Sequence, residues 1–163
     1  QFIQQIINIT KRIDLFGKVI FIQNYDINVA RQLIAGADVW LNTPRRPMEA
    51  SGTSGMKVAI HGGLHCSTMD GWWREAYDGR NGWKIGEDTT ATNETDQDNL
   101  DAAALRAVME NDIIPLFYDR GKDGIPHHWL KRVRHAIANI LPVYNTDRMV
   151  AEYVTKYYFQ SSR

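Results

Sequence analysis

The residues best suited to chemistry stand in one short run, Glu49-Ala50-Ser51-Gly52-Thr53-Ser54-Gly55-Met56-Lys57. Small residues and glycines come first, and a helical stretch that carries a single lysine follows. Thr53 and Ser54 can cap that helix through their hydroxyls, and Gly52 lets the backbone approach a ligand closely. Because the N–H groups at a helix start attract negative charge, the pattern favours a bound anion such as a phosphate.

Lys57 follows Thr53 by four residues, so both lie on one helix face. Its side chain points back toward the helix start, which directs the amine at the predicted anion site. A lysine that reaches a carbonyl beside a bound phosphate suggests a Schiff base to pyridoxal phosphate. Glu49, on the same loop, can accept hydrogen bonds from sugar hydroxyls. The same residue types are also typical of an ordinary loop followed by a capped helix and a solvated lysine.

Short apolar runs predict the strands that position this loop. They cover residues 18–23, 38–42 and 64–68, and a fourth run covers residues 83–86. Such strands, separated by helices, are typical of a parallel sheet with right-handed crossovers. The sequence therefore predicts an α/β fold, a Rossmann-like parallel sheet with flanking helices. Because loops at the carboxyl ends of parallel strands meet, residues 24–26 and 43–52 are expected to share one site.

Helical periodicity predicts the remaining elements. Helices are expected over residues 1–14, 27–35, 56–61, 100–119, 126–141 and from 146 onward, with a short helix or turn after Asp70. Asp26 and Thr146 are predicted N-caps, and Pro115 is expected to kink or divide its helix. Residues 87–99 are polar and aperiodic, which predicts a surface loop. The aromatic runs Trp72-Trp73 and Tyr157-Tyr158-Phe159 look exposed and are expected to pack against missing parts or a second subunit.

Composition limits the classes of function. The 163 residues are 44% hydrophobic and 23% charged, which is ordinary for one globular domain, and the net charge of zero predicts no general attraction to nucleic acid or membrane. Cys66 is the only cysteine, which excludes an intramolecular disulfide and fits a reducing, cytoplasmic compartment. The five histidines lack metal-ligand spacing, so no metal site is predicted. Arg45 and Arg46 are candidates for anion binding, although loop arginines are more often solvated.

Four segments carry a resemblance to a known family. They are the run over residues 49–57, Gln23-Asn24-Tyr25-Asp26, Asp38-Val39-Trp40-Leu41-Asn42-Thr43-Pro44 and Met69-Asp70-Gly71-Trp72-Trp73. Together they resemble the α-glucan (glycogen, starch, maltodextrin) phosphorylase family, over most of the chain from Gly17 to Tyr158. The resemblance implies reversible phosphorolysis, in which orthophosphate cleaves the terminal α-1,4-linked glucosyl unit of a glucan to give glucose 1-phosphate with retention. It also implies pyridoxal 5′-phosphate, whose phosphate relays a proton to the substrate phosphate.

The resemblance implies roles for individual residues. Lys57 would hold pyridoxal phosphate covalently, and the other cofactor-binding residues would be Thr53, Ser54, Gly55 and Tyr25. Glu49, Ala50, Ser51 and Gly52 would bind the glucose hydroxyls, partly through backbone N–H groups. Lys57 and Glu49 are the predicted catalytic residues. The family has Gly-Asn where this chain has Ser54-Gly55, and since both pairs allow close backbone approach, cofactor binding is still expected.

The same resemblance predicts where the chain belongs in a larger protein. Residues 1–163 would form a single partial domain, with C-terminal helices over 126–163, in the second Rossmann-like domain of a two-domain, GT-B-type glycosyltransferase. The family's phosphate-binding Arg and Lys, and a histidine near the sugar, lie in segments that precede this region, so the chain alone is expected to be inactive. The expected partners are the N-terminal domain of the same enzyme, α-1,4-glucan, orthophosphate, glucose 1-phosphate and a second copy in a homodimer. Neither nucleic acid nor membrane is an expected partner.

Two readings of other classes stay open on the sequence. A retaining sugar-nucleotide glycosyltransferase has a similar architecture and a similar loop, but places a second glutamate near the position of Lys57. A non-catalytic glucan-binding module could keep the fold without the reaction. The first alternative predicts binding of a nucleoside diphosphate and no chromophore, and the second predicts only affinity for glucan.

Overall fold

The computed structural model describes residues 2–159, and the chain divides into two compact units at residues 33 and 34. The first unit holds α1 (Phe2–Thr10), a 3₁₀ turn (Ile13–Leu15) and the start of α2 (Ile27–Gly36). Asp26 Oδ1 accepts hydrogen bonds from the backbone N–H groups of Asn28 and Val29, each at 2.9 Å. The predicted N-cap is therefore confirmed, because one carboxylate oxygen satisfies two N–H groups of the first turn.

The strand predicted over residues 18–23 is wrong, since this segment is irregular. Ile20 is 73% exposed, and Phe21 and Ile22 are also exposed. β-branched and aromatic residues favour a strand only where a neighbouring strand completes the hydrogen-bond ladder. Within residues 2–159, no strand pairs with this segment.

The second unit is built on a three-stranded parallel sheet of β1 (Val39–Asn42), β2 (Leu64–Thr68) and β3 (Gly82–Ile85), in that order. Val39 lies opposite Leu64, and His65 lies opposite Gly82. All five residues of the central strand β2 are buried, as expected for a strand covered on both faces. The predicted α/β fold, a parallel sheet with flanking helices, is confirmed.

The helices of the second unit surround this sheet. They are α3 (Thr53–Met56), α4 (Gly71–Ala76), α5 (Glu94–Val108), α6 (Ile114–Tyr118), α7 (His127–Ile140) and α8 (Thr146–Tyr153), with a 3₁₀ turn (Val58–His61) after α3 and π turns (Met109–Ile113, Val154–Tyr158) after α5 and α8. The π turn between α5 and α6 ends two residues before Pro115, so the long predicted helix is divided near its proline, as expected. In the described part of the chain, no helix is both long and apolar enough to span a membrane.

Two helices are capped by residues that the sequence analysis did not name. Asn93 accepts a hydrogen bond from the backbone N–H of Asp96 at 2.9 Å, so α5 begins at Glu94 and the loop predicted over residues 87–99 is partly helical. Asn145, rather than Thr146, caps α8, because its side chain accepts the backbone N–H of Arg148 at 2.8 Å. In both α5 and α8 the capping residue is an asparagine, which hydrophobic periodicity does not reveal.

Tryptophan side chains fill much of the core of the second unit. Trp72 and Trp73 are 4% and 0% exposed, so the expectation that they look outward is wrong. Trp73 Nε1 donates to the backbone oxygen of Trp83 at 3.1 Å, which ties α4 to β3. Trp83 in turn contacts Trp129 of α7, with ring centroids 5.6 Å apart. Tyr157 is 67% exposed, as the sequence predicts.

His65 is the one histidine among the core residues of the described chain, and it is 2% exposed. Its ring lies against Trp72 and Trp73, at centroid distances of 5.1 and 4.7 Å. Neither ring nitrogen has a hydrogen-bond partner within residues 2–159. Burial lowers the pKa of His65 to about 3, because the apolar surroundings disfavour the charged imidazolium. His65 is therefore neutral at pH 7.

We predict that this histidine makes the chain less stable in mild acid. Because the folded pKa lies below the unfolded value of 6.5, the unfolded chain binds the extra proton. Above pH 6.5 this group does not lower the free energy of unfolding. As the pH falls from 6.5 toward 3, the free energy of unfolding decreases by up to about 1.4 kcal/mol per pH unit. Urea unfolding at pH 7 and pH 5 should show a smaller loss of stability for His65→Leu than for the parent chain.

His61→Leu is the matched control, because His61 is exposed at the end of the 3₁₀ turn. It should keep the pH dependence of the parent. An equal loss of stability in the parent and in His65→Leu would show that His65 does not titrate on unfolding.

Candidate functional site

The loop over residues 43–52, which leaves the carboxyl end of β1, is tethered to α5 by two arginines. Arg45 pairs with Glu94 and Asp98 at the surface, each at 2.6 Å, and its hydrogen bond lowers the pKa of Asp98. The Arg46 side chain is only 4% exposed and pairs with Asp101 at 2.6 Å. Both candidate anion-binding arginines are therefore occupied by carboxylates of α5.

Asp70, at the carboxyl end of β2, holds the backbone of the same loop. Its Oδ2 accepts the N–H of Glu49 at 2.8 Å, while its Oδ1 accepts the N–H of Gly71 at 2.9 Å and caps α4. At the next residue, the N–H of Trp72 donates to the backbone oxygen of Ser51 at 2.8 Å. These bonds bring the loops that leave β1 and β2 together at one edge of the sheet, where ligands of open α/β sheets bind.

The Glu49 side chain is restrained within this arrangement. Asn42, the last residue of β1, donates from Nδ2 to Glu49 Oε2 at 2.9 Å. Gly52 adopts a left-handed conformation with φ of 83°, and the carboxylate lies directly against it. An ideal Cβ on Gly52 would stand 2.7 Å from Glu49 Cδ and Oε1, so only glycine fits this position without a shift.

The helix start differs from its prediction in one respect. Gly52 itself is the N-cap of α3, and the structure has no side-chain capping bond there, so the predicted capping by Thr53 and Ser54 is wrong. Their hydroxyls lie too far along the chain, because these residues already belong to the first helical turn. Gly55 is buried against β2, and an ideal Cβ on it would stand 2.3 Å from His65 Cε1. A second glycine is therefore required for α3 to approach the sheet.

Lys57 is exposed, and its amine turns back toward the start of α3, as the spacing predicts. Nζ donates to the backbone oxygen of Thr53 at 3.1 Å and lies 3.4 Å from Thr53 Oγ1. The side chain lines a cavity of about 530 Å³ between α3, the following 3₁₀ turn, the end of α7 and the start of α8. The walls are Ser51, Thr53, Met56, Lys57, Ile60, Leu141, Val143, Tyr144, Asn145, Thr146, Arg148 and Met149.

The structure brings some of the predicted site residues together and leaves others apart. Ser51, Thr53 and Lys57 share the cavity wall, whereas Glu49 does not line it and contacts Asn42 and Gly52 instead. Ala50 and Ser54 are exposed and do not line the cavity. Tyr25 is 58% exposed and belongs to the first unit, so its role as a cofactor neighbour stays a prediction.

Sequence reasoning missed the residues that hold the loop, Asn42 and Asp70. Asp70 carried a local signal, because an aspartate before Gly71 and a helix is typical of an N-cap. Asn42 carried none beyond its place at the end of a strand, since its partner lies seven residues further along the chain. Within residues 2–159, no group of three His, Cys, Asp or Glu side chains could hold a metal ion.

Comparison with known proteins identifies the family. The model of the carbohydrate phosphorylase family matches residues 1–111. The chain belongs to the carbohydrate phosphorylase family. Its similarity to this family, predicted from the loop and its neighbours, is thereby confirmed.

Curated relatives extend this similarity beyond the matched residues. The chain is 44% identical over 156 residues to a glycogen phosphorylase of Mycobacterium tuberculosis, covering 96% of this chain and 18% of that protein. It is 42% identical over 156 residues to a glycogen phosphorylase of Aquifex aeolicus, covering 96% of this chain and 22% of the relative. A maltodextrin phosphorylase of Thermococcus litoralis is 42% identical over 159 residues, which are 97% of this chain and 18% of the relative. The chain thus spans about a fifth of the length of these phosphorylases.

We predict that Gly52→Ala destabilises the phosphorylase loop more than the backbone conformation alone requires. Gly79 is the matched control, because it also has a φ of +83° but has no atom within 4 Å of an ideal Cβ. Gly79→Ala should cost about 1–2 kcal/mol, the usual penalty for a left-handed alanine. Gly52→Ala should cost about 0.5–1.5 kcal/mol more, because its Cβ displaces the Glu49 carboxylate from its hydrogen bond with Asn42.

Chemical unfolding of both variants measures these differences. Equal losses at the two glycines would contradict the contact between Gly52 and Glu49.

Proposed function

We propose that the chain is the C-terminal portion of the second Rossmann-like domain in a GT-B-type α-glucan phosphorylase, and that the whole protein carries out reversible phosphorolysis of α-1,4-glucan to glucose 1-phosphate. The observation that carries this proposal is the position of Lys57 in a carbohydrate phosphorylase loop, on the wall of a cavity shared with Ser51 and Thr53. The names of the relatives, glycogen and maltodextrin phosphorylases, support the glucan and phosphate substrates. The single buried cysteine, Cys66, supports a cytoplasmic location.

The residues around Lys57 fit pyridoxal phosphate. The cavity of about 530 Å³ lies within the roughly 300–1,000 Å³ range of small-molecule sites. Met56, Ile60, Leu141 and Met149 offer apolar contact for an aromatic ring, and the Lys57 amine is exposed to react with an aldehyde. We assign Thr53, Ser54 and Gly55 to the cofactor phosphate, while the role of Tyr25 near the ring rests on the family resemblance alone. When bound, the cofactor supplies a phosphate that relays a proton to the substrate phosphate.

The residues of this chain have separate tasks in the proposed reaction. Lys57 anchors the cofactor, and its hydrogen bond to the Thr53 oxygen keeps Nζ on the cavity side of α3. Glu49 accepts hydrogen bonds from the glucosyl hydroxyls, and the backbone N–H groups of the segment from Ala50 to Gly52 donate to the same sugar. The N-terminal domain of the same enzyme completes the cleft, and a second copy is a candidate partner in a homodimer.

We predict that Lys57 is the residue to which the cofactor is bound covalently. The complete protein should be incubated with pyridoxal phosphate, reduced with borohydride and digested, and the peptides weighed by mass spectrometry. The added pyridoxyl mass should appear on the peptide that contains Lys57. Lys57→Ala should lose both this mass and phosphorolysis, because no other amine lies on the cavity wall in the described residues.

Lys131→Ala is the control, since Lys131 is an exposed lysine of α7 that does not line the cavity. This variant should keep the modified peptide and the activity of the parent protein. Stoichiometric modification of a different lysine, with Lys57 unchanged, would refute the assignment.

We also predict that the 163-residue chain is inactive by itself. The relatives are about five times longer, and the phosphate-binding and sugar-side residues that the family resemblance implies lie outside this region. An assay with glycogen, orthophosphate and pyridoxal phosphate should detect no glucose 1-phosphate from the chain, while the complete protein produces it under the same conditions. Production by the chain alone would contradict this prediction.

A further inference from the structure

We propose that Asn42 is a positioning residue, which holds the Glu49 carboxylate in the orientation that a bound glucosyl group requires. This proposal rests on the proposed function, because that function assigns Glu49 to the sugar. Asn42 is half-buried at the carboxyl end of β1, and its Nδ2 donates to Glu49 Oε2 at 2.9 Å. A side chain on a strand of the central sheet is a rigid support for a residue on a loop.

The other restraints on Glu49 leave one oxygen for a ligand. Asp70 Oδ2 fixes the backbone N–H of Glu49, and Gly52 lies against the face of the carboxylate. Asn42 occupies Oε2, whereas within residues 2–159 no hydrogen bond is donated to Oε1. Oε1 can therefore still accept a hydrogen bond from a ligand, and the bond between Asn42 and Oε2 determines the direction in which Oε1 points.

The chemistry of the amide suits this task. An amide N–H donates to the carboxylate without neutralising its charge, so Glu49 still attracts a hydroxyl donor strongly. A lysine or arginine at the position of Asn42 would compete with the sugar for the same charge. The Glu49 rotamer is already selected in the free protein by the Asn42 hydrogen bond. Sugar binding therefore has a smaller cost in side-chain conformational entropy.

A double-mutant cycle in the complete protein tests whether Asn42 acts through Glu49. The dissociation constant of glucose 1-phosphate is measured by calorimetry for the parent, Asn42→Ala, Glu49→Ala and the double variant. Asn42→Ala should weaken binding about tenfold in the parent, the scale of a hydrogen bond to a charged group. In the Glu49→Ala background the same change should weaken binding less than about twofold, since residues that act as a unit are not additive.

Asn42→Asp separates positioning from a structural role of the side chain. The aspartate keeps the shape of asparagine but brings a second carboxylate to a Glu49 oxygen, and the two charges repel. At pH 7.5 this variant should bind glucose 1-phosphate more weakly than Asn42→Ala, whereas a space-filling role predicts the opposite order. Asn139→Asp, an exposed change on α7, should leave the dissociation constant unchanged.

The outcomes distinguish this proposal from the proposed function. The positioning role would be overturned if Asn42→Ala weakened glucose 1-phosphate binding by the same factor in the parent and in the Glu49→Ala variant. Tighter binding by Asn42→Asp than by Asn42→Ala would also overturn it. A parent protein that binds glucose 1-phosphate but transfers no glucosyl group between glucan and phosphate would refute phosphorolysis, and the cycle would still decide the role of Asn42. A parent that does not bind glucose 1-phosphate would overturn both.

Discussion

The close approach of two backbone segments, those that leave β1 and β2, determines the geometry of this region. An ideal Cβ on Gly71 would stand 2.6 Å from the backbone oxygen of Ser51, so glycine is required where the segments meet. That approach allows the N–H of Trp72 to reach Ser51 and Asp70 to reach the N–H of Glu49. Both bonds are made by groups at the edge of the sheet, so they fix the position of the loop relative to the strands.

A second close approach joins the sheet to the helix that carries the lysine. Gly55 lies against His65, whose ring is enclosed by Trp72 and Trp73 and has no hydrogen-bond partner in the described residues. Burying an unpaired polar ring costs free energy, and the same burial lowers the pKa of His65 because it disfavours the charged form further. The aromatic contacts with α4 offset this cost. Gly55 of α3 packs against the same ring, so the core tryptophans and the candidate site share His65 as a neighbour.

The sequence was sufficient where the determining interaction is local or repeats along an element. The parallel strands at residues 39–42 and 64–68, the Asp26 cap and the division of the helix near Pro115 all follow from such patterns. Prediction failed where the structure of a segment depends on a distant part of the chain. Residues 18–23 have strand-forming side chains but no pairing strand in the described chain. Arg45 and Arg46 look like free loop cations in the sequence, because the carboxylates of α5 that neutralise them lie about fifty residues away.

The two residues predicted as catalytic are held to very different degrees. Glu49 is restrained through its backbone by Asp70, through its carboxylate by Asn42, and by contact with Gly52. Lys57 is exposed, and in the part of the chain that the structure describes its amine bonds only to Thr53, four residues earlier. A sugar-binding carboxylate gains from being fixed before the ligand arrives, whereas an amine that bonds to a cofactor acquires its final position from that bond. The contrast is the one expected if this region supplies a preformed half of a sugar site, while the cofactor and the rest of the enzyme complete the surroundings of Lys57.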